Sequence, residues 1–221
     1  MDEKYLLEIY YTLEKEFGKQ NWWPGESSWE IVVGAILTQN VSWKNVEKCI
    51  ENLKRSNCFE FEKMKENKTE KIAEMIVPSR YYNLKAKKLK AFIGYLADNH
   101  QGKLEDLFKM NLEGLRKELL SIWGIGEETA DSIILYAAEK ESFVVDAYTK
   151  RIFNRLGFFA DNITYSEMRD FFMQKLPRDI KLYNDYHAQI VVLGNRYCKS
   201  KPSCIDCPLQ IKGICPANRS K

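Results

Sequence analysis

Apolar residues recur every three or four positions along almost the whole chain, a rhythm that commits it to packed amphipathic helices. The pattern begins cleanly at Ser27, where Ser27 and Glu30 have the spacing of a capping box ahead of Trp29, Val32, Val33, Ile36 and Leu37. It continues through Trp43, Val46, Ile50 and Leu53, then Leu89, Phe92, Ile93 and Leu96, then Leu112, Leu115 and Leu119, then Ala130, Ile133, Ile134 and Ala137. Thr164 and Glu167 form a second capping box, and a long helical pattern runs from Asp179 to Arg196. Only Phe143 to Val145 reads as β-like, and three residues make no sheet. An all-α fold with short connections is expected.

With 221 residues, 45% of them hydrophobic and 29% charged, the chain can bury the core of one or two globular domains. The longest uncharged apolar runs, such as Ile31 to Leu37, fall far short of the roughly 18 residues a membrane span needs. The opening MDEKYLLEIYYTLEKEF lacks the basic-then-apolar order of a signal peptide, so a cytoplasmic protein without a membrane partner is expected. A net charge of +3 is too small to identify a polyanionic partner, which leaves that question to the placement of the charges.

Three segments carry chemistry. Leu119 to Ile134 (LLSIWGIGEETADSII) reads as a helix, a tight turn containing Gly124 and Gly126, and a second helix. Glycines let such a turn expose backbone N–H groups where the second helix begins and its dipole favours a phosphate, although the same hairpin also serves as a plain structural turn. Trp123, inside the turn, is expected to pack. Further on, Asp146 precedes a helical pattern through Ile152, Phe153 and Leu156 that stops at Gly157, which makes it an N-cap and leaves a second duty open. The third segment is Cys198-x5-Cys204-x2-Cys207-x7-Cys215, whereas Cys49 and Cys58 stand alone. In a reducing compartment four crowded cysteines point to a metal, and their thiolates suit either tetrahedral zinc or a 4Fe–4S cluster. His187, in an apolar helical pattern nearby, is expected to be a hydrogen-bonded core residue.

The order of hairpin, downstream aspartate and terminal four-cysteine loop, spread from Trp29 to Cys215, resembles the helix-hairpin-helix DNA glycosylases of the endonuclease III superfamily. The resemblance implies a six-helix barrel domain over residues 27–141, with its hairpin at 115–137. It also implies a second helical domain built from 1–26 and 142–221, and double-stranded DNA with a flipped damaged base bound across the cleft. It favours a 4Fe–4S cluster over zinc at 198–215, with the family's usual intervals of six, two and five residues changed here to five, two and seven. A monomer is implied.

Two further segments match. Leu37-Thr38-Gln39-Asn40 resembles the stretch whose glutamine fills the gap left by an extruded base, and the alternative is a polar residue ending a buried helix. Arg80 to Lys90 holds five basic residues and no acidic one, and Lys85, Lys87 and Lys88 are expected to contact phosphate, with Gly124 and Gly126 of the hairpin. Lys150 and Arg151 either join them or form a salt-bridged surface helix.

In the family's bifunctional members, the second position after the hairpin's Gly-x-Gly is a lysine that attacks the sugar, and here that position is Glu128. A carboxylate forms no Schiff base, so the resemblance implies a monofunctional glycosylase in which Asp146 stabilises the oxocarbenium ion and orients a water. Trp22, Trp23, Pro24 and Trp43 resemble the base-binding aromatics of the 3-methyladenine glycosylase branch. Tryptophan faces and Glu128 would attract a cationic alkylated purine. Oxidised pyrimidines, or mismatched thymine or uracil, are the rival substrates. A catalytically silent DNA-binding iron–sulfur protein is the rival from another class. Trp43, in register with Val46 and Ile50, fits the core equally well.

Overall fold

The structure, a computed structural model, describes residues 3–20, 22–23 and 25–216. Among these, regular structure is entirely helical, and no helix is long and apolar enough to cross a membrane. In chain order the helices are α1 (Glu3–Phe17), α2 (Ser28–Leu37), α3 (Trp43–Arg55), α4 (Phe61–Glu66), α5 (Thr69–Met75), α6 (Tyr82–His100), α7 (Leu104–Phe108), α8 (Leu112–Ser121) and α9 (Glu127–Ser132). They continue with α10 (Ala147–Arg155), α11 (Tyr165–Lys175), α12 (Ile180–Arg196) and α13 (Pro208–Ile211). A 3-10 turn (Val77–Ser79) precedes α6, and α9 widens into a π turn at Ile133–Ala137. The chain divides into two compact units, one of Met1–Trp23 with Glu141–Lys221 and one of Pro24–Lys140.

The Pro24–Lys140 unit is organised around α2, whose Val32, Val33, Ile36 and Leu37 are fully buried and meet Val46, Leu53, Leu89, Phe92, Leu115 and Ile133 in one core. Ser27 caps α2 by accepting a hydrogen bond from Glu30 N at 3.2 Å. Only this half of the expected capping box forms. The Glu30 carboxylate, almost buried, lies 2.8 Å from Lys54 Nζ on α3, because a carboxylate leaving water gains more from a full cation than from one backbone N–H. The box at Thr164 and Glu167 forms completely, with bonds of 3.2 and 2.8 Å.

The other unit has an aromatic core. Phe143 stacks on Phe172 at 4.3 Å, Phe172 meets Phe153 edge-on at 4.8 Å, and Tyr183 and Tyr186 close the group. Phe143, Val144 and Val145 are buried but lie in neither helix nor strand, so their unbroken apolar run records burial on all sides. Three tyrosines fasten α1 to the C-terminal third: Tyr186 OH donates to Leu6 O, Tyr10 OH to Asp185 Oδ2 and Tyr5 OH to Ile214 O, at 2.8, 3.0 and 2.9 Å. Each such bond contributes about 1 kcal/mol net.

Candidate functional site

The hairpin joins α8 to α9. Arg116 on α8 binds Asp131 through Nε at 3.0 Å and Glu127 through Nη2 at 3.2 Å, which locks the two helices at a fixed angle. The two glycines of the turn differ in kind. Gly124 has φ +89°, and a Cβ built on it would lie 2.4 Å from Cγ of Lys88, so backbone and packing both require glycine. Gly126 has φ −93°, and a Cβ there would meet nothing within 4 Å. Nothing inside the unit needs Gly126 to lack a side chain, and the residue is exposed, so its backbone is open to close approach by a ligand. Glu128 is exposed in the first turn of α9. Trp123 is 57% exposed, which corrects the expectation that it packs: the turn carries it outside the core.

Gln39 follows the end of α2 and is held against the hairpin. Its Nε2 donates to Thr129 Oγ1 at 3.0 Å and to Gly124 O at 3.3 Å, and its Oε1 accepts from Lys88 Nζ. Burial lowers the Lys88 pKa. Lys87 is exposed and remains suited to phosphate. Lys85 is not. Its side chain is buried, and its ammonium donates to Leu37 O at 2.8 Å and Ser79 O at 2.6 Å, tying the last turn of α2 to the 3-10 turn. Burial pushes its pKa down to about 8, with Cys49 opposing and Lys88 adding to the shift. The expected phosphate contact is therefore replaced by an internal clamp. Tyr81, which opens the same segment, is 72% exposed with φ +41° ahead of α6.

Asp146 occupies the N-cap of α10. Its Oδ1 accepts from Thr149 N at 2.7 Å and from Thr149 Oγ1 at 2.9 Å, while Oδ2 lies 3.8 Å from Nε2 of the buried His187 on α12. Burial alone would raise its pKa, but His187 and the Thr149 bonds outweigh burial and hold the carboxyl below its ordinary 3.8. Capping consumes one carboxylate oxygen and leaves the other.

Of the proposed pocket aromatics, Trp22 and Trp23 form an edge-to-face pair with centroids 5.8 Å apart. Pro24 lies outside the described residues. Trp43 opens α3 and packs, half-buried, on the core of its own unit. Lys150 and Arg151 are engaged internally: Lys150 Nζ donates to Ile163 O at 3.1 Å, and Arg151 donates from Nε to Cys198 O at 2.8 Å while covering the Tyr148 ring.

Cys198, Cys204, Cys207 and Cys215 line a cavity of about 180 Å³ together with Arg155, Tyr197, Pro202, Ser203 and Gln210. Among the described residues no three metal-ligating side chains converge as they do on a single ion. Burial pushes the Cys207 thiol up, and Cys215 and Cys198 add to the shift despite opposing backbone bonds from Gln210 and Leu209. Arg155 Nη1 donates to Cys198 Sγ at 3.3 Å. Four cysteine sulfurs at one cavity, with a cation at its edge, are the donor type of both zinc and iron–sulfur sites.

The HhH-GPD profile, described as that of superfamily base excision DNA repair proteins, matches residues 33–178. A Methanocaldococcus jannaschii protein, provisionally named a DNA repair glycosylase, is 47% identical over 93% of this chain and 94% of its own. The Helicobacter pylori 3-methyladenine DNA glycosylase, solved bound to 1,N6-ethenoadenine, superposes with a TM-score of 0.75 and 29% identity over 86% of this chain and 96% of its own. An endonuclease III–DNA complex superposes with a TM-score of 0.82 at 19% identity, covering 99% and 97%, and shares the fold.

Proposed function

Because this chain belongs to the HhH-GPD superfamily of base excision DNA repair proteins, we propose that it is a DNA glycosylase that hydrolyses the N-glycosidic bond of a base flipped from duplex DNA. The observation that carries this reading is the divided Asp146 carboxylate, with Oδ1 spent on the helix cap and Oδ2 left beside His187. As the C1′–N bond breaks, the bonding pair leaves with the base and positive charge develops on the sugar. A fixed carboxylate oxygen stabilises that charge and orients the water whose oxygen then bonds to C1′, its proton passing to the carboxylate or to solvent.

The enzyme is monofunctional in this reading, since Glu128 offers no amine for a Schiff base. The substrate it fits best is an alkylated purine such as 3-methyladenine. Such a base carries positive charge and departs neutral, so it needs no strong general acid. The Trp22–Trp23 pair and Trp43 offer aromatic faces, each good contact contributing about 0.5–2 kcal/mol, and the exposed Glu128 adds attraction. The base bound in the H. pylori relative, itself a modified adenine, supports a purine. DNA is gripped by the hairpin at Gly124 and Gly126 and by Lys87 and Lys88, with Gln39 poised from its network on the hairpin.

Cys198, Cys204, Cys207 and Cys215, which line one cavity, would hold a 4Fe–4S cluster through their four thiolates, the reading preferred over zinc. When bound, such a cluster would cross-link the C-terminal loop. The test is base release from methylated DNA, from an oxidised-pyrimidine duplex and from G·T and G·U duplexes, each analysed with and without alkali. Free 3-methyladenine with strand breaks only after alkali is expected. A released pyrimidine overturns the substrate assignment, and breaks without alkali overturn the monofunctional one.

A further inference from the structure

We infer that His187 is a positioning residue for the Asp146 carboxylate, fixing Oδ2 while Thr149 fixes Oδ1, an inference that rests on the reading of Asp146 as the catalytic group. A carboxylate on a single Cα–Cβ stem turns about its terminal torsion, which is broad and roughly two-fold, so one hydrogen-bonded oxygen does not by itself settle where the other points. Thr149 holds Oδ1 from α10, the helix that Asp146 itself caps. The His187 ring flanks Oδ2 from a different helix, α12, and the two helices pack on each other. Two constraints from two elements define the carboxylate plane.

The ring is itself well anchored. His187 is 5% exposed, in the middle of a 17-residue helix, and its neighbour Tyr186 is fully buried and bonded through its hydroxyl to Leu6 O. The separation of 3.8 Å from Oδ2 exceeds a direct hydrogen bond, so the ring confines the carboxylate by contact and leaves the lone pairs of Oδ2 for a water or the sugar. A histidine that merely filled the core would have no bearing on the chemical step. One that aims the carboxylate would, because a misplacement of about 1 Å costs up to roughly 100-fold in rate.

The experiment compares wild type, His187→Phe, His187→Gln and Asp146→Asn. It measures the single-turnover rate of base release at saturating enzyme and, separately, the dissociation constant for the same duplex. The duplex is whichever member of the panel above the wild type processes. His187→Phe is expected to slow release about 10- to 100-fold with unchanged DNA affinity, and His187→Gln, which restores a polar group near Oδ2, to recover most of the rate. If His187→Phe does not fold, His187→Asn, polar but too short to reach Oδ2, replaces it with the same expectation. Wild-type rates in all folded His187 variants, or equal losses in the Phe and Gln variants that follow melting temperature, overturn the inference. Asp146→Asn separates the two layers: if it is inactive while the His187 variants are not, only the positioning role fails, and if it stays active the catalytic reading fails first.

Discussion

Replacing Gly124 by alanine tests whether the hairpin and the lysine face of α6 are one construction. At φ +89° an alanine pays about 1–2 kcal/mol for the left-handed backbone. Its Cβ would stand 2.4 Å from Lys88 Cγ and 2.9 Å from Cδ, so the lysine stem must leave and its ammonium must release Gln39 Oε1. A half-exposed, charge-assisted bond of this kind contributes about 1–2 kcal/mol, and the restricted unfolded chain returns about 0.4–1 kcal/mol. The net loss is about 2–3 kcal/mol, or a fall in Tm of roughly 4–12 °C for a chain of this size. Gly126→Ala, with ordinary φ and open space, should stay within about 1 kcal/mol of wild type. Urea titrations of the three proteins by circular dichroism at constant m-value measure both numbers. A Gly124→Ala protein as stable as wild type, or no more affected than Gly126→Ala, refutes the argument.

Gly126→Ala should instead weaken DNA binding, read by fluorescence anisotropy, and unchanged affinity removes Gly126 from the interface. Lys85 titrates near pH 8 folded and near 10.5 unfolded, so between those values the unfolded chain holds the extra proton and folding gains stability as pH rises, by about 1.4 kcal/mol per unit. The stability of wild type relative to Lys85→Met should therefore be lowest below pH 8 and climb towards 10.5, and a flat difference contradicts the buried clamp. Arg155→Gln removes the donor to Cys198 Sγ and to Lys199 O, so iron reconstituted into the variant should bleach several-fold faster in air than in wild type. Equal bleaching denies Arg155 that role. Glu128→Gln should slow release of cationic bases more than neutral ones, and equal slowing argues against charge recognition.

The helices were legible because their apolar rhythm is strong. The pattern from Asp179 to Arg196 corresponds to α12, with Asp179 accepting bonds from Lys181 N and Leu182 N at its start. The Asp146 cap was equally legible, but its neighbour His187 was not, since no local pattern says which distant helix packs on a cap. Lys85 shows a signal that was present and passed over: it shares a helical face with Leu89, Phe92 and Leu96, all buried, while the count of basic residues treated the segment as uniform surface. Trp123 failed for the opposite reason, because an aromatic residue suggests a core, whereas the turn geometry carries it outward. The half-formed box at Glu30 depended on Lys54, a competitor that α3 delivers only after folding.

The claim that matters most is that one carboxylate, Asp146, performs hydrolytic base excision. Asp146→Asn keeps a side-chain oxygen for the Thr149 bonds and removes the negative charge. The decisive measurement is the single-turnover release of free base from methylated duplex DNA by wild type and Asp146→Asn, with melting temperature and duplex affinity determined on the same samples. The account predicts a folded variant that binds DNA like wild type and releases no base above background. Release at the wild-type rate by that variant would contradict it.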